Sequence, residues 1–163
     1  MLLYIPTYHQ MAKPTKTNKP KKANKTVRRN KSYKKKLVDR KSHIVRIFFE
    51  MLNTVKLYHW KTRSYAQHKA TDELYGKLNE NIDKFVEVLL GKEESRIKML
   101  EKHIKLLDAR NVTDFKSKIY EYRAFLQDMN SYLDSKKDSD LLNIRDDILV
   151  DINQFLYLMT FDK

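Results

Sequence analysis

The chain has no cysteine, only two glycines (Gly76 and Gly91), and three prolines (Pro6, Pro14 and Pro20), all within the first twenty residues. Without thiols, disulfides and thiolate metal sites are excluded, while a reducing compartment is allowed. With so little turn punctuation after residue 40, the tight hairpins of a β-sheet have nothing to form on. Long apolar runs are missing as well. Met1-Leu2-Leu3-Tyr4-Ile5 is too short for a signal core or a membrane span, and Met11 is an alternative start. The expectation is an intracellular protein without membrane association.

Acids are scarce in one stretch only. Residues 1–47 hold fifteen Lys/Arg and a single acid, Asp39, a net of +14; the remaining residues hold nineteen basic and twenty acidic side chains, a net of −1. The basicity is therefore an appendage on a near-neutral body. It runs through Lys13, Lys16, Lys19, Lys21, Lys22, Lys25, Arg28, Arg29, Lys31, Lys34, Lys35, Lys36, Arg40 and Lys41. So few apolar residues interrupt it that burial cannot offset chain entropy, and the sequence predicts a disordered arm over 1–41. As a flexible coil, about 30 residues reach roughly 30 Å r.m.s.. Lysines neutralise phosphates without reading bases, so DNA bound non-specifically is the expected partner. RNA, a nuclear localisation signal and acidic lipid are the rivals. Tyr33 is isolated, which leaves no stacking platform for sequence-specific reading.

Residues 42–163 are expected to form the folded body, an all-α four-helix bundle. Helix 42–63 opens on Ser42 as N-cap and carries Ile44, Phe48, Met51, Leu52, Val55 and His59 at three/four spacing. Helix 66–90 places Leu74, Leu78, Ile82, Phe85 and Leu89 on one face and stops at Gly91. Segment 97–107 fits either a short helix or an irregular crossover. Helix 113–133 carries Phe115, Ile119, Tyr122, Leu126, Met129 and Leu133; helix 139–159 carries Leu141, Ile144, Ile148, Ile152, Phe155 and Met159. A long link between the second and third main helices gives ferritin-like connectivity.

Beside the apolar face of the second helix, His68, Asp72, Asn79, Asp83 and Glu87 fall within an arc of roughly 100°. A solvated flank is the ordinary explanation for any one of them; five aligned in so lysine-rich a chain weaken it. Asp72 and Asp83 are eleven residues apart, about 16 Å along a helix, too far to share one metal within one chain. An antiparallel two-fold partner crossing near Lys77 would bring His68 and Asp72 opposite a second copy's Asp83 and Glu87. Gly76, beside that axis, is either a tolerated surface glycine or the mark of close helix approach. A tight turn brings His59 near His68. Imidazole and carboxylate ligands suit Fe(II), and Zn(II) would also bind.

The stretch His59-Trp60-Lys61-Thr62-Arg63-Ser64-Tyr65-Ala66-Gln67-His68, followed by Asp72, Asp83 and Glu87, resembles the ferroxidase segment of the Dps mini-ferritins, the DNA-binding proteins from starved cells. The likeness extends over about residues 42–162, including Tyr157-Leu158 near the end of the last helix, and is nearest to ferritin-like proteins of large DNA viruses and phages. One departure stands: eight residues separate the two histidines here, where the family usually has a longer turn. The resemblance implies an inter-subunit iron site with His59, His68 and Asp72 from one subunit and Asp83 and Glu87 from its partner. It also implies Fe(II) oxidation by peroxide or oxygen, a dodecamer, protection of DNA, and a place at the nucleoid or in a virion. Trp60 would intercept oxidising equivalents, unless it is simply packed in the core. Asp146, Asp147 and Asp151 line pores or a solvated helix face. A non-catalytic packaging or virion protein on the same scaffold is the alternative.

Overall fold

A computed structural model of the chain describes residues 25–100 and 103–161, with side chains from Arg40 onward. The chain divides into two compact units, residues 1–34 and 35–163. In the first, the described residues are helical from Lys25. The second holds the bundle. The elements among the described residues are α1 (Lys25–Lys61), α2 (Tyr65–Lys92), α3 (Val112–Asp128), a single 3-10 turn (Met129–Ser131) and α4 (Ser139–Leu158). No strand occurs among the described residues.

Cross-helix contacts give the topology. Lys41 meets Glu93, Phe48 meets Phe85 and His59 meets His68, so α1 and α2 run antiparallel. Lys92 meets Asp140, Asn81 meets Asp151 and Lys77 meets Gln154, so α4 runs antiparallel to α2. Tyr58 stacks on Phe115 while His43 meets Phe125, which sets α3 antiparallel to α1 and parallel to α2. A parallel successor needs a crossover the length of the bundle. Residues 93–111 provide it, from Ser95 and Leu100, bonded to Lys41 and Ser42, to Asp108 and Ala109, bonded to Lys61. The result is a four-helix bundle with one long crossover between the second and third helices.

The expected apolar stripes meet in one core. Phe48, Met51, Val55, Leu78, Phe85, Phe115, Ile119, Leu126 and Ile148 are essentially inaccessible to solvent. Phe48 packs edge-on against Phe85, ring centroids 5.3 Å apart, and Tyr58 lies flat on Phe115 at 3.9 Å. One polar pair is sealed inside: the Thr54 and Tyr122 hydroxyls share a hydrogen bond of 2.9 Å. Burial raises the Tyr122 hydroxyl to about 12.

Several boundaries differ from those expected. Ser42 does not cap a helix; it is buried within α1, and its Oγ accepts a hydrogen bond from the Leu100 amide (2.9 Å). Helix reaches back to Lys25 because no proline or glycine interrupts residues 21–75 and Lys and Arg are good helix formers. Of the arm expected over 1–41, residues 25–41 lie on the helical backbone of α1, and residues 1–24 lie outside the described residues. Gly91 lies inside α2 rather than ending it. Glu94, at φ 45°, takes the left-handed position after Lys92. Residues 97–107 form the irregular crossover, with no helix among those described. The third main helix is regular only to Asp128 and tightens into the 3-10 turn, where Met129 is still buried.

Candidate metal centre at the first helical turn

The turn of residues 62–64 is wired closely. Ser64 caps α2 through the Gln67 amide (3.3 Å), and Thr62 Oγ1 accepts from the Ser64 amide (3.2 Å). Both Tyr58 (2.6 Å) and Thr62 (2.7 Å) donate their hydroxyls to Gln67 Oε1. This fixes the last turn of α1 against the first of α2, and the His59 and His68 rings stack with centroids 3.9 Å apart, 24° from parallel.

Each ring is tied to the backbone of the other helix. His59 Nδ1 donates to the His68 carbonyl at 3.0 Å, and His68 Nδ1 donates to the His59 carbonyl at 3.1 Å. A carbonyl can only accept, so each ring carries a proton on Nδ1, which leaves Nε2 as the nitrogen that can offer a lone pair to a metal. Buried Thr71 braces the pair: its hydroxyl donates to Gln67 O (2.8 Å) and His68 O (3.0 Å) and lies 3.3 Å from His59 Nδ1. Fixing Nδ1 on a backbone carbonyl is the usual way a protein presents Nε2 to a metal. Asp72 Oδ1 lies 3.9 Å from His59 Nε2 and 4.0 Å from Lys56 Nζ. The structure thus brings His59 against His68 despite the short turn and places Asp72 near His59. Spacing gave no sign of Thr71 or Lys56; both emerge only from the helix–helix register.

Asp83 and Glu87 lie farther along α2 and are exposed, as are Asp72, Gly76, Asn79 and Glu80. These residues make one outward stripe on α2. A Cβ built at Gly76 meets nothing within 4 Å among the described residues, so no contact with them requires a glycine there. Among the described residues, no group of three or more histidines or acids is gathered closely enough to hold a metal ion within one chain. The donor types suit a divalent metal, but one chain does not complete a coordination sphere.

Trp60 is 70% exposed, which corrects the core-packing alternative; Lys56 Nζ lies 5.7 Å from its ring. Two members of the basic set also require correction. Lys41 is buried against Glu93 and donates to Ser95 Oγ (2.8 Å), because burial leaves its ammonium no partner but these. Arg40 lies over the Tyr132 ring at 4.9 Å and donates to the Tyr132 carbonyl. Both are occupied with holding the bundle, unlike the free basic side chains expected for DNA contact. Lys25, Arg28, Arg29, Lys31, Lys34, Lys35 and Lys36 lie on α1 backbone, while Lys13, Lys16, Lys19, Lys21 and Lys22 lie outside the described residues.

Asp146 and Asp147 are exposed, as a solvated face requires. Asp151 instead turns toward α2, where it accepts from Asn81 Nδ2 (2.8 Å), and burial raises its carboxyl above the usual range. An open cavity of about 620 Å³ lies away from the histidines, between α1, α3 and residues 105–107. Its charges answer one another, Glu50 with Arg46 (2.9 Å) and Lys118 (3.0 Å), and Lys118 with Glu121 (2.8 Å). Such a network needs no ligand to balance it. Among the described residues, no helix is long and apolar enough to cross a membrane.

No curated protein and no solved structure matches the chain. The profile of a family of unknown function, DUF5856, matches residues 59–159, which begin at the first stacked histidine and end at buried Met159, just past α4. That span is more than half of the chain, and the protein belongs to this family.

Proposed function

We propose that the protein is a Dps-like ferroxidase that works as a symmetric oligomer and holds DNA non-specifically through its basic N-terminal residues. The observation that carries this reading is the reciprocal pairing of His59 and His68 through their Nδ1 atoms, with His59 Nε2 3.9 Å from Asp72 Oδ1. Two imidazoles so oriented, next to a carboxylate and without thiolates, suit Fe(II) as substrate, with Zn(II) as a redox-inert competitor. The stripe on α2 supports a two-fold mate: Asp83 and Glu87 of a second copy would complete the set across an axis near Gly76. Two ferrous ions would each give one electron to a peroxide, which takes up two protons and leaves as two waters. Exposed Trp60 stands one residue from His59, where it can surrender an electron to a stray oxidant.

By resemblance the oligomer is a dodecamer, placed in the cell at a nucleoid or in a virion. About a dozen lysine-rich segments per particle would turn weak phosphate contacts into salt-sensitive condensation of DNA. A second reading, a packaging scaffold without catalysis, needs only the bundle and the basic N-terminal residues.

Anaerobic Fe(II) titration followed by peroxide separates the two. Oxidation by wild type, and its loss in His68→Ala and Asp83→Ala with assembly intact, is the expected result. A wild type that oxidises no iron leaves the packaging scaffold standing. Replacing the Lys/Arg residues of 13–36 with Gln should abolish DNA retardation; retention of binding would move the DNA contact to the bundle.

A further inference from the structure

We infer that Lys56 is the resident cation of the histidine–carboxylate site and sets how tightly a divalent metal binds there. The inference rests on the metal-site reading above. Lys56 Nζ lies 4.0 Å from Asp72 Oδ1, the same oxygen that stands 3.9 Å from His59 Nε2. It also lies 4.7 Å from the Tyr75 ring centroid and 5.7 Å from that of Trp60. One carboxylate and two aromatic faces thus form a seat for positive charge, and the ammonium occupies it.

The placement follows from register. Lys56 precedes His59 by three residues and Trp60 by four, so all three share one side of α1; Tyr75 follows Asp72 by three on α2. The helix pairing that sets His59 against Asp72 therefore sets Lys56 between Asp72, Tyr75 and Trp60. With no metal bound, the lysine balances the carboxylate. A divalent ion drawing on Asp72 Oδ1 and His59 Nε2 arrives within a few ångströms of a like charge. The ammonium must then withdraw, and the indole face of Trp60 offers the nearby alternative. Repulsion of this kind at a solvent-open site weakens binding by about tenfold at low salt, and by less as salt rises. Lys56 is a positioning and affinity-setting residue; it donates nothing to the metal.

The test uses full-length wild type, Lys56→Gln, Lys56→Arg and Asp72→Asn, titrated with Zn(II) by calorimetry. Emission from Trp60, the only tryptophan, is followed in the same titration. Lys56→Gln should bind about tenfold more tightly than wild type, Lys56→Arg close to wild type, and Asp72→Asn more weakly. The wild-type emission should shift as the ammonium reseats over the indole, and that shift should vanish in Lys56→Gln. Equal affinity in wild type and Lys56→Gln, with binding weakened in Asp72→Asn, overturns the role of Lys56 and leaves the metal site in place. Failure of wild type and Lys56→Gln alike to bind Zn(II) overturns both.

Discussion

Replacing Gly76 with alanine asks two questions of one methyl group. Gly76 sits in the middle of α2, is exposed, and has no positive φ. An added Cβ meets nothing within 4 Å, so within a single bundle the change brings only helix propensity, roughly 1 kcal/mol in favour of folding. For a body of this size that corresponds to a rise in Tm of about 3–5 °C. If two copies of α2 cross near this residue, the new methyls meet across the axis, and assembly weakens by about 1–3 kcal/mol per interface. Gly91 provides the control: it is equally open but lies one residue from the end of α2, where alanine is worth a few tenths of a kcal/mol and no axis is expected. Urea unfolding at sub-micromolar and at high protein concentration, with sedimentation of the same samples, reads both effects. Gly76→Ala should be more stable than wild type when dilute, and should dissociate at concentrations where wild type and Gly91→Ala remain assembled. A dilute variant less stable than wild type refutes the single-chain argument. A stabilised variant with unchanged assembly refutes the axis beside Gly76.

The Tyr122 hydroxyl, raised by burial from 10.0 to about 12, favours folding fully below pH 10, and this contribution is lost as pH rises from 10 toward 12. Tyr122→Phe should therefore flatten the alkaline limb of a stability–pH curve and, by stranding Thr54 from its partner, cost about 1 kcal/mol at neutral pH; an unchanged alkaline limb contradicts the assignment. Lys41→Ala leaves Glu93 without its buried counter-charge and should cost about 2–3 kcal/mol in urea unfolding. Lys41→Met with Glu93→Gln should recover most of that loss and leave DNA retardation unaltered, whereas weakened retardation would return Lys41 to the DNA-facing set.

The helices could be read from the chain because their cores repeat every three or four residues. Every stripe position from Leu74 to Leu89 and from Phe115 to Met129 is buried as its period requires. Helix ends were less legible. Ser42 has the chemistry of a cap but serves a crossover 58 residues away, and Gly91 has the chemistry of a stop but α2 runs one residue past it to Lys92. Local residue type offers several uses, and only tertiary partners choose among them. The same holds for Arg40 and Lys41, whose sequence neighbours are basic while their spatial neighbours are Tyr132 and Glu93. At the candidate site, the tight turn indicated that His59 and His68 would meet and helical spacing put His68 and Asp72 on one edge of α2, while the three as a ligand set came from the resemblance. The tautomer of the histidines and the presence of Lys56 depend on the angle between two helices, which no linear pattern records.

The crossover is fastened at both ends, by Lys41 and Ser42 at one and by Lys61 at the other, while Ile104, Lys105 and Leu106 lie exposed between them. Severing that strap with a protease near Lys105 would yield two fragments, each a helical hairpin, still mated through their shared aromatic interior. Chain length there is also cheap to vary, since doubling a flexible loop costs only about 0.6 kcal/mol. Insertions could accumulate in the strap across related proteins without disturbing the turn that seats the two histidines.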